Sequence, residues 1–232
     1  MIRTIFWFLF LAIVLVISIP FWILSLLSPK KYKLIWPQML FDACIPLVKG
    51  IAGFKVETSG KENIVDGPAL YVGNHQGLFD MVIALEQFGK LKPFLAKIEA
   101  SKIPLIGSWM RIMDCVFIDR GNIRASLESI KKCEEVLKNG KSLIIFPEGT
   151  RSRKHEMGEF KAGALRCALK AGVPIVPFVI DGTYKAWEEQ GKIVPTTATL
   201  KILPPIQTAE LEKERTKHLA EEIEEEIKKA LG

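Results

Sequence analysis

Residues 70–80 read LYVGNHQGLFD. The apolar run Leu70–Val72 gives way at Gly73–Asn74 to His75, and a new apolar period opens near Leu78 with Asp80 behind it. This order predicts a strand, a tight turn and a helix beginning near Leu78, the repeating join of an α/β domain. His75 and Asp80 lie five residues apart, about 140° around a regular helix, so on a helix they would not share a face. Across a strand-to-helix turn the carboxylate reaches the imidazole, fixes its tautomer and stabilises the imidazolium. The chain has no GxSxG and no obvious protein nucleophile beside this histidine, which points to direct attack by a substrate hydroxyl. A helix-capping Asn74 with a His–Asp pair that only holds the turn fits the same residues.

Working outward, the same alternation recurs. Strands are predicted at Phe54–Thr58, Ala69–Val72, Pro93–Ala96, Cys115–Ile118, Ser142–Phe146, Ile175–Ile180 and Thr199–Leu203. Helical spacing marks Asn122–Asn139, Phe160–Ala171 and a long charged stretch, Ala209–Leu231. The fold class is α/β, with a mixed or largely parallel sheet flanked by helices. Two prolines in Val173–Phe178 (VPIVPF) suggest a bulged or edge strand.

Two further strand ends carry reactive groups. Ser142–Ser152, SLIIFPEGTRS, ends an apolar strand in a turn where Gly149 permits a tight bend, Thr150 and Ser152 offer hydroxyls and Arg151 offers a fork suited to phosphate. A surface turn with a salt bridge from Glu148 to an arginine fits equally well. Cys115–Arg120, CVFIDR, delivers Asp119 and Arg120 to the end of another strand, where a structural ion pair is the plainer reading.

The N-terminal quarter differs. Ile5–Ser28 contains no charge over 24 residues, about 36 Å as a helix, enough for a bilayer's hydrocarbon core. Pro20 is placed to bend it, and Leu34–Phe54 follows as a second helix with Gln38, Asp42 and Lys49 on one narrow stripe. A helix pair dipping into one leaflet is favoured over a span. The domains are therefore 1–55, membrane-binding helices, and 56–232, a catalytic domain. The net charge of +6 is concentrated beside the apolar segment: Arg3, Lys30, Lys31, Lys33, Lys49 and Lys55 stand against Asp42 alone. That pattern favours an anionic membrane lipid as partner and no nucleic acid. It places the chain at the cell's inner membrane, with the catalytic domain on the cytoplasmic face. Four scattered cysteines without a CxxC pair read as buried thiols in a reducing compartment, and no metal site is expected.

Together the blocks resemble the glycerolipid acyltransferases, specifically the 1-acylglycerol-3-phosphate acyltransferases. The NHxxxxD block is matched by Asn74, His75 and Asp80, FIDR by Phe117–Arg120, FPEGTRS by Phe146–Ser152, VPIVP by Val173–Pro177, and FKxG by Phe160, Lys161 and Gly163. The resemblance implies acyl transfer from acyl-CoA or acyl-carrier protein to the 2-hydroxyl of lysophosphatidic acid, giving phosphatidic acid, without a cofactor. It implies His75 as general base, Asp80 as its orienting partner, and Arg120, Glu148, Gly149, Thr150, Arg151, Lys97 and Lys161 as the substrate-binding set. Another lysophospholipid acceptor, or a thioesterase or lipid hydrolase, is the alternative. Two positions depart from the family pattern. Gly77 stands where serine is frequent, and Asp114 replaces a glycine, bringing a negative charge toward an anionic acceptor.

Overall fold

The computed structural model describes residues 1–209 and 211–232. The chain opens with α1 (Ile2–Leu27) and α2 (Ile35–Ala52), followed by β1 (Phe54–Ser59) and β2 (Leu70–Gly73). Next come α3 (Asp80–Gln87), β3 (Leu95–Lys97), α4 (Ile106–Ile112), β4 (Val116–Ile118) and α5 (Ile123–Lys138). It ends with β5 (Leu143–Ile145), α6 (Arg166–Ala171), β6 (Ile175–Asp181), β7 (Thr196–Ile202) and α7 (Lys213–Leu231).

Five strands form one sheet in the order β1-β7-β6-β2-β5, parallel except where β6 meets β7. A parallel bridge from Phe94 to Ile144 joins the β3–β4 pair to its edge. The central strands are buried throughout because both faces are covered. Alternate residues feed two cores. Tyr71, Ile144 and Val176 face α2 and α3, whereas Leu70, Val72, Leu143 and Ile145 face α5, α6 and α7.

Each predicted strand is present within a few residues. The α5 helix has the expected ends: Asn122 caps it by accepting the Ala125 N–H, and Gly140 follows with φ +78°. The segment 160–171 is a 3-10 turn leading into a short α-helix, not one continuous helix. The last helix starts at Lys213, later than Ala209; residue 210 of that expectation lies outside the described residues. Leu219, Ile223 and Ile227 bury its apolar stripe against the sheet.

The expectation for VPIVPF is corrected, since β6 is a central strand. Pro177 is accommodated because β7 ends at Ile202, opposite Phe178, so the proline faces the chain just past that strand. Leu203 donates to the Pro177 carbonyl just past the end of β7, and pairing resumes at Ile206, so Pro177 contributes its carbonyl but no N–H to this edge of the ladder.

Pro20 does not divide α1, which continues through it. The helix folds back on α2, with Trp7 Nε1 donating to the Val48 carbonyl (3.2 Å), and it lies along the domain instead of projecting from it. The Ile193 N–H donates to Thr4 Oγ1, Trp7 meets Phe79 at 5.4 Å, and Trp109 Nε1 donates to Ser18 Oγ (3.1 Å). The opposite face exposes Ile5, Phe6, Leu9, Ile13, Val16, Ile17, Ile23 and Leu24. The helix is long and apolar enough to cross a membrane, and a bare apolar face of this extent marks membrane association.

Candidate active site

The β2-to-α3 join places His75 and Asp80 together. Asn74 fastens the end of β2 to β6: its amide donates to the Ile180 carbonyl and its oxygen accepts the Ile180 N–H, both at 2.8 Å. Gly73 has no room for a side chain, since a Cβ there would lie 2.2 Å from the Phe178 ring. The chain then turns, and α3 begins at Asp80, two residues later than predicted.

Asp80 is fully buried and makes its contacts through both oxygens. Oδ2 meets His75 Nδ1 at 2.6 Å and accepts the Gly77 N–H at 2.8 Å, while Oδ1 accepts the Thr183 hydroxyl. An ionised carboxylate only accepts, so this network assigns the proton to His75 Nδ1 and leaves Nε2 with a free lone pair. Among the described residues nothing bonds Nε2, and the side chain is 20% exposed. Phe146 stacks on the imidazole, with centroids 4.3 Å apart.

Glu148 joins this turn to the FPEGTRS loop. Its carboxylate accepts the N–H of His75 (2.5 Å) and the N–H of Gly158 (2.7 Å). Burial raises its pKa, and the two N–H donors oppose the rise. The Ser152 N–H donates to the His75 carbonyl and the Arg153 N–H to the Gln76 carbonyl, so the two loops are laced together.

Arg120, at the end of β4, and Lys161 converge on Gly149, where φ is +74°. A Cβ there would lie 3.2 Å from Lys161 Nζ and 3.4 Å from the Arg120 guanidinium carbon. These three residues line a pocket of about 280 Å³ with Phe146 in its wall, and its interior is apolar, through Leu95, Ile118 and Ile130. Two cations at a glycine turn, beside a ring stacked on His75, can hold an anion near that base.

Other expected binding residues fall elsewhere. Arg151 turns to the buried Glu188 (2.8 Å), Lys97 pairs with Glu99 on the surface (3.0 Å), and neither lines this pocket. Thr150 is exposed on the loop. Glu148 bonds backbone and forms no ion pair with an arginine, so the salt bridge of this loop is Arg151–Glu188. Asp119 accepts the Gly121 N–H and shapes its turn. Asp114 has φ +59°, the left-handed region in which glycine is unstrained. Its carboxylate lines a different cleft from the pocket at Gly149. Burial would raise its pKa, but Lys141 and Lys33 bind it and hold it below the ordinary carboxylate value.

Sequence reading missed Thr183, Glu188, Gln76 and Phe146. Gln76 is buried and ties Asp181, Gly182 and the His155 carbonyl together behind the His75 turn. The available signal was position: Asp181 ends the apolar β6 and Gly182-Thr183 follow it, as Asn74-His75 follow β2. Gly77 has its own account. A Cβ there would lie 2.7 Å from Glu188 Oε2 and 3.2 Å from the Thr183 carbonyl carbon, so this position takes no side chain unless Glu188 shifts.

A mixed α/β sheet with the NHxxxxD turn at the end of a central strand defines the class. The Acyltransferase family profile matches residues 55–181, and the chain belongs to that family of acyl-transferring enzymes. It is 36% identical over 194 residues to a probable 1-acyl-sn-glycerol-3-phosphate acyltransferase of Mycoplasma pneumoniae, covering 79% of this chain and 73% of that one. It is 41% identical over 145 residues to the chloroplastic 1-acyl-sn-glycerol-3-phosphate acyltransferase LPAT1 of Arabidopsis thaliana, covering 62% of this chain but only 38% of that longer one. Among solved structures, the 1-acyl-sn-glycerophosphate (LPA) acyltransferase PlsC of Thermotoga maritima superposes with a TM-score of 0.82 at 27% identity, covering 99% of this chain and 94% of that one.

Proposed function

We propose that this enzyme transfers a fatty acyl group from acyl-CoA or acyl-carrier protein to the 2-hydroxyl of lysophosphatidic acid, giving phosphatidic acid. The observation that carries the reading is the meeting of two devices at one pair of loops: the His75–Asp80 pair and the Arg120–Lys161 pair at Gly149. Their chemistry matches what the relatives' names describe, an acceptor with a phosphate and a free hydroxyl.

His75 Nε2 takes the hydroxyl proton as the oxygen attacks the thioester carbonyl. The tetrahedral intermediate collapses, the C–S bond breaks, and the imidazolium returns the proton to the leaving thiolate. Asp80 holds the tautomer throughout and stabilises the transient imidazolium. Arg120 and Lys161 hold the phosphate, so the hydroxyl arrives already positioned. Glu148 and Arg151 act one step back by fixing the two loops, Thr150 lies at the loop's open edge, and Lys97 has no part in this reading. The apolar cavity of about 510 Å³ between the helix hairpin and α3, lined by Trp7, Phe41, Leu78, Phe79 and Trp109, suits an acyl chain.

The helix hairpin carries this site on one leaflet of the inner membrane, with the domain in the cytoplasm. Contacts to the domain run from Thr4 to Ser18 along α1, which leaves too short a free length for the helix to span apart from it. The basic elbow, Lys30 to Lys33, faces anionic lipid.

The deciding assay supplies lysophosphatidic acid and labelled acyl-CoA or acyl-carrier protein to the enzyme in liposomes. Labelled phosphatidic acid is the expected product. Thiol release without it would mean a hydrolase, and equal rates with lysophosphatidylcholine would remove the phosphate assignment. A companion result is expected from Gly149→Ala, which strains a left-handed residue and crowds both cations. KM for lysophosphatidic acid should rise about tenfold or more, a loss of about 1.4 kcal/mol of binding, with kcat changing less.

A further inference from the structure

The elbow between α1 and α2 carries a feature that acyl transfer does not use. A cleft of about 400 Å³ opens between the last turns of α1, the elbow and α4, lined by Trp22, Leu26, Lys30, Lys33 and Arg111. It continues into a wider cleft that shares Lys30, Lys33 and Arg111 and adds Lys132 and Lys141, with Asp114 and Glu135 as its carboxylates. Lys33 and Lys141 are both engaged by Asp114. Among the described residues Lys30 and Arg111 have no carboxylate partner. Trp22 Nε1 is buried here with no acceptor, an arrangement proteins seldom leave unmet. The site therefore presents the positive charge of Lys30, Lys33 and Arg111 at the end of an apolar groove.

We propose that this elbow seats the phosphate group of an anionic membrane phospholipid, separate from the acyl-transfer site; the seat deepens the membrane attachment proposed above and rests on it. Ile23, Leu24, Leu26 and Leu27 are exposed on the last turns of α1, which places them among lipid chains and puts Lys30, Lys33 and Arg111 at headgroup level. The lipid phosphate pairs with Lys30 and Arg111 beside the Trp22 ring, while its chains continue along Leu26 and Ile112. A soluble acidic protein would meet Lys132 and Lys141 but would leave Ile23, Leu24 and Leu27 uncovered.

The test uses the full chain in neutral detergent micelles, titrated separately with dihexanoylphosphatidylglycerol, dihexanoylphosphatidylcholine and inorganic phosphate. Tryptophan emission of the wild type is compared with that of Trp22→Phe. A saturable, Trp22-dependent change is expected with the glycerol lipid and none with the choline lipid. The Lys30→Gln/Arg111→Gln variant should weaken that binding at least tenfold, whereas Lys217→Gln/Lys229→Gln, an equal charge loss on α7, should leave it within twofold. A non-saturating response, or equal weakening in both double variants, would reduce the seat to general surface attraction and overturn it. Inorganic phosphate binding as tightly as the lipid would overturn the lipid assignment in favour of a free anion; binding at least tenfold weaker supports it. Acyl transfer by Lys30→Gln/Arg111→Gln in neutral micelles should stay within twofold of wild type, so loss of the seat and failure of the acyl-transfer reading give different results.

Discussion

Replacing His75 with alanine is expected to lower kcat for acyl transfer by about 10²–10⁴, the usual contribution of a positioned general base. KM for lysophosphatidic acid should change little, because the phosphate is assigned to Arg120 and Lys161 in the proposed function and His75 takes no part in holding it. Asp80→Asn should approach the same loss by another route. The carboxylamide no longer accepts on both sides, Gly77 and Thr183 compete for its one oxygen, and the proton is no longer held on Nδ1. In serine-protease triads the equivalent change costs roughly 10⁴-fold through the wrong tautomer. Steady-state kinetics with both substrates, beside circular dichroism to establish folding, checks the pair. More than a tenth of wild-type kcat in a folded His75→Ala protein would remove the histidine from the chemistry.

The second large effect is expected at Glu148, a residue two shells of bonding away from any bond that breaks. Glu148→Gln keeps shape and volume but supplies one acceptor oxygen where two N–H groups, from His75 and Gly158, each require one. A donor would then face a donor in a buried setting, at a cost of about 1–3 kcal/mol. Loosening the His75 turn in this way should lower kcat tenfold to a hundredfold. Stability should fall less than activity, for a reason that follows from the sign of the linkage. Burial raises the Glu148 pKa above that in the unfolded chain. Its contribution to stability is therefore full below the unfolded value near 4.5 and is lost as pH rises through the folded value, so ionisation in the folded state opposes folding. Glutamine removes that opposition while losing a bond. The expected signature is a depressed kcat at neutral pH with a Tm close to wild type. A parallel fall in both would make Glu148 a purely structural residue.

The two effects differ in how visible they were beforehand. The His75–Asp80 pairing follows from chain order: a strand, a glycine turn and a helix start bring residues five apart within bonding reach. Glu148 looked like a ligand because it sits among Gly149, Thr150 and Arg151. Only the parallel pairing of β2 with β5 brings its carboxylate beneath the His75 N–H, 73 residues away. Arg151 is the converse case, a fork suited to phosphate that the fold commits to Glu188 on the far side of the loop.

What the sequence determined by itself was local and periodic. Strand positions, the amphipathic face and caps of α5, the apolar hairpin with its basic elbow, and the His–Asp turn all arise from residues within a few positions of one another, where spacing dictates geometry. The tertiary structure decided what depends on distant segments meeting. The placement of β6 at the sheet's centre despite Pro177 depends on where β7 ends. The choice of Lys161 over Arg151 as partner to Arg120, the Thr183 hydroxyl on Asp80, and α1 lying along the domain through Thr4, Trp7 and Ser18 are of the same kind. Each joins residues separated by tens of positions or more, and no period or motif encodes which strands become neighbours. That selection is made when the two faces of the sheet are covered and every buried donor and acceptor finds its partner.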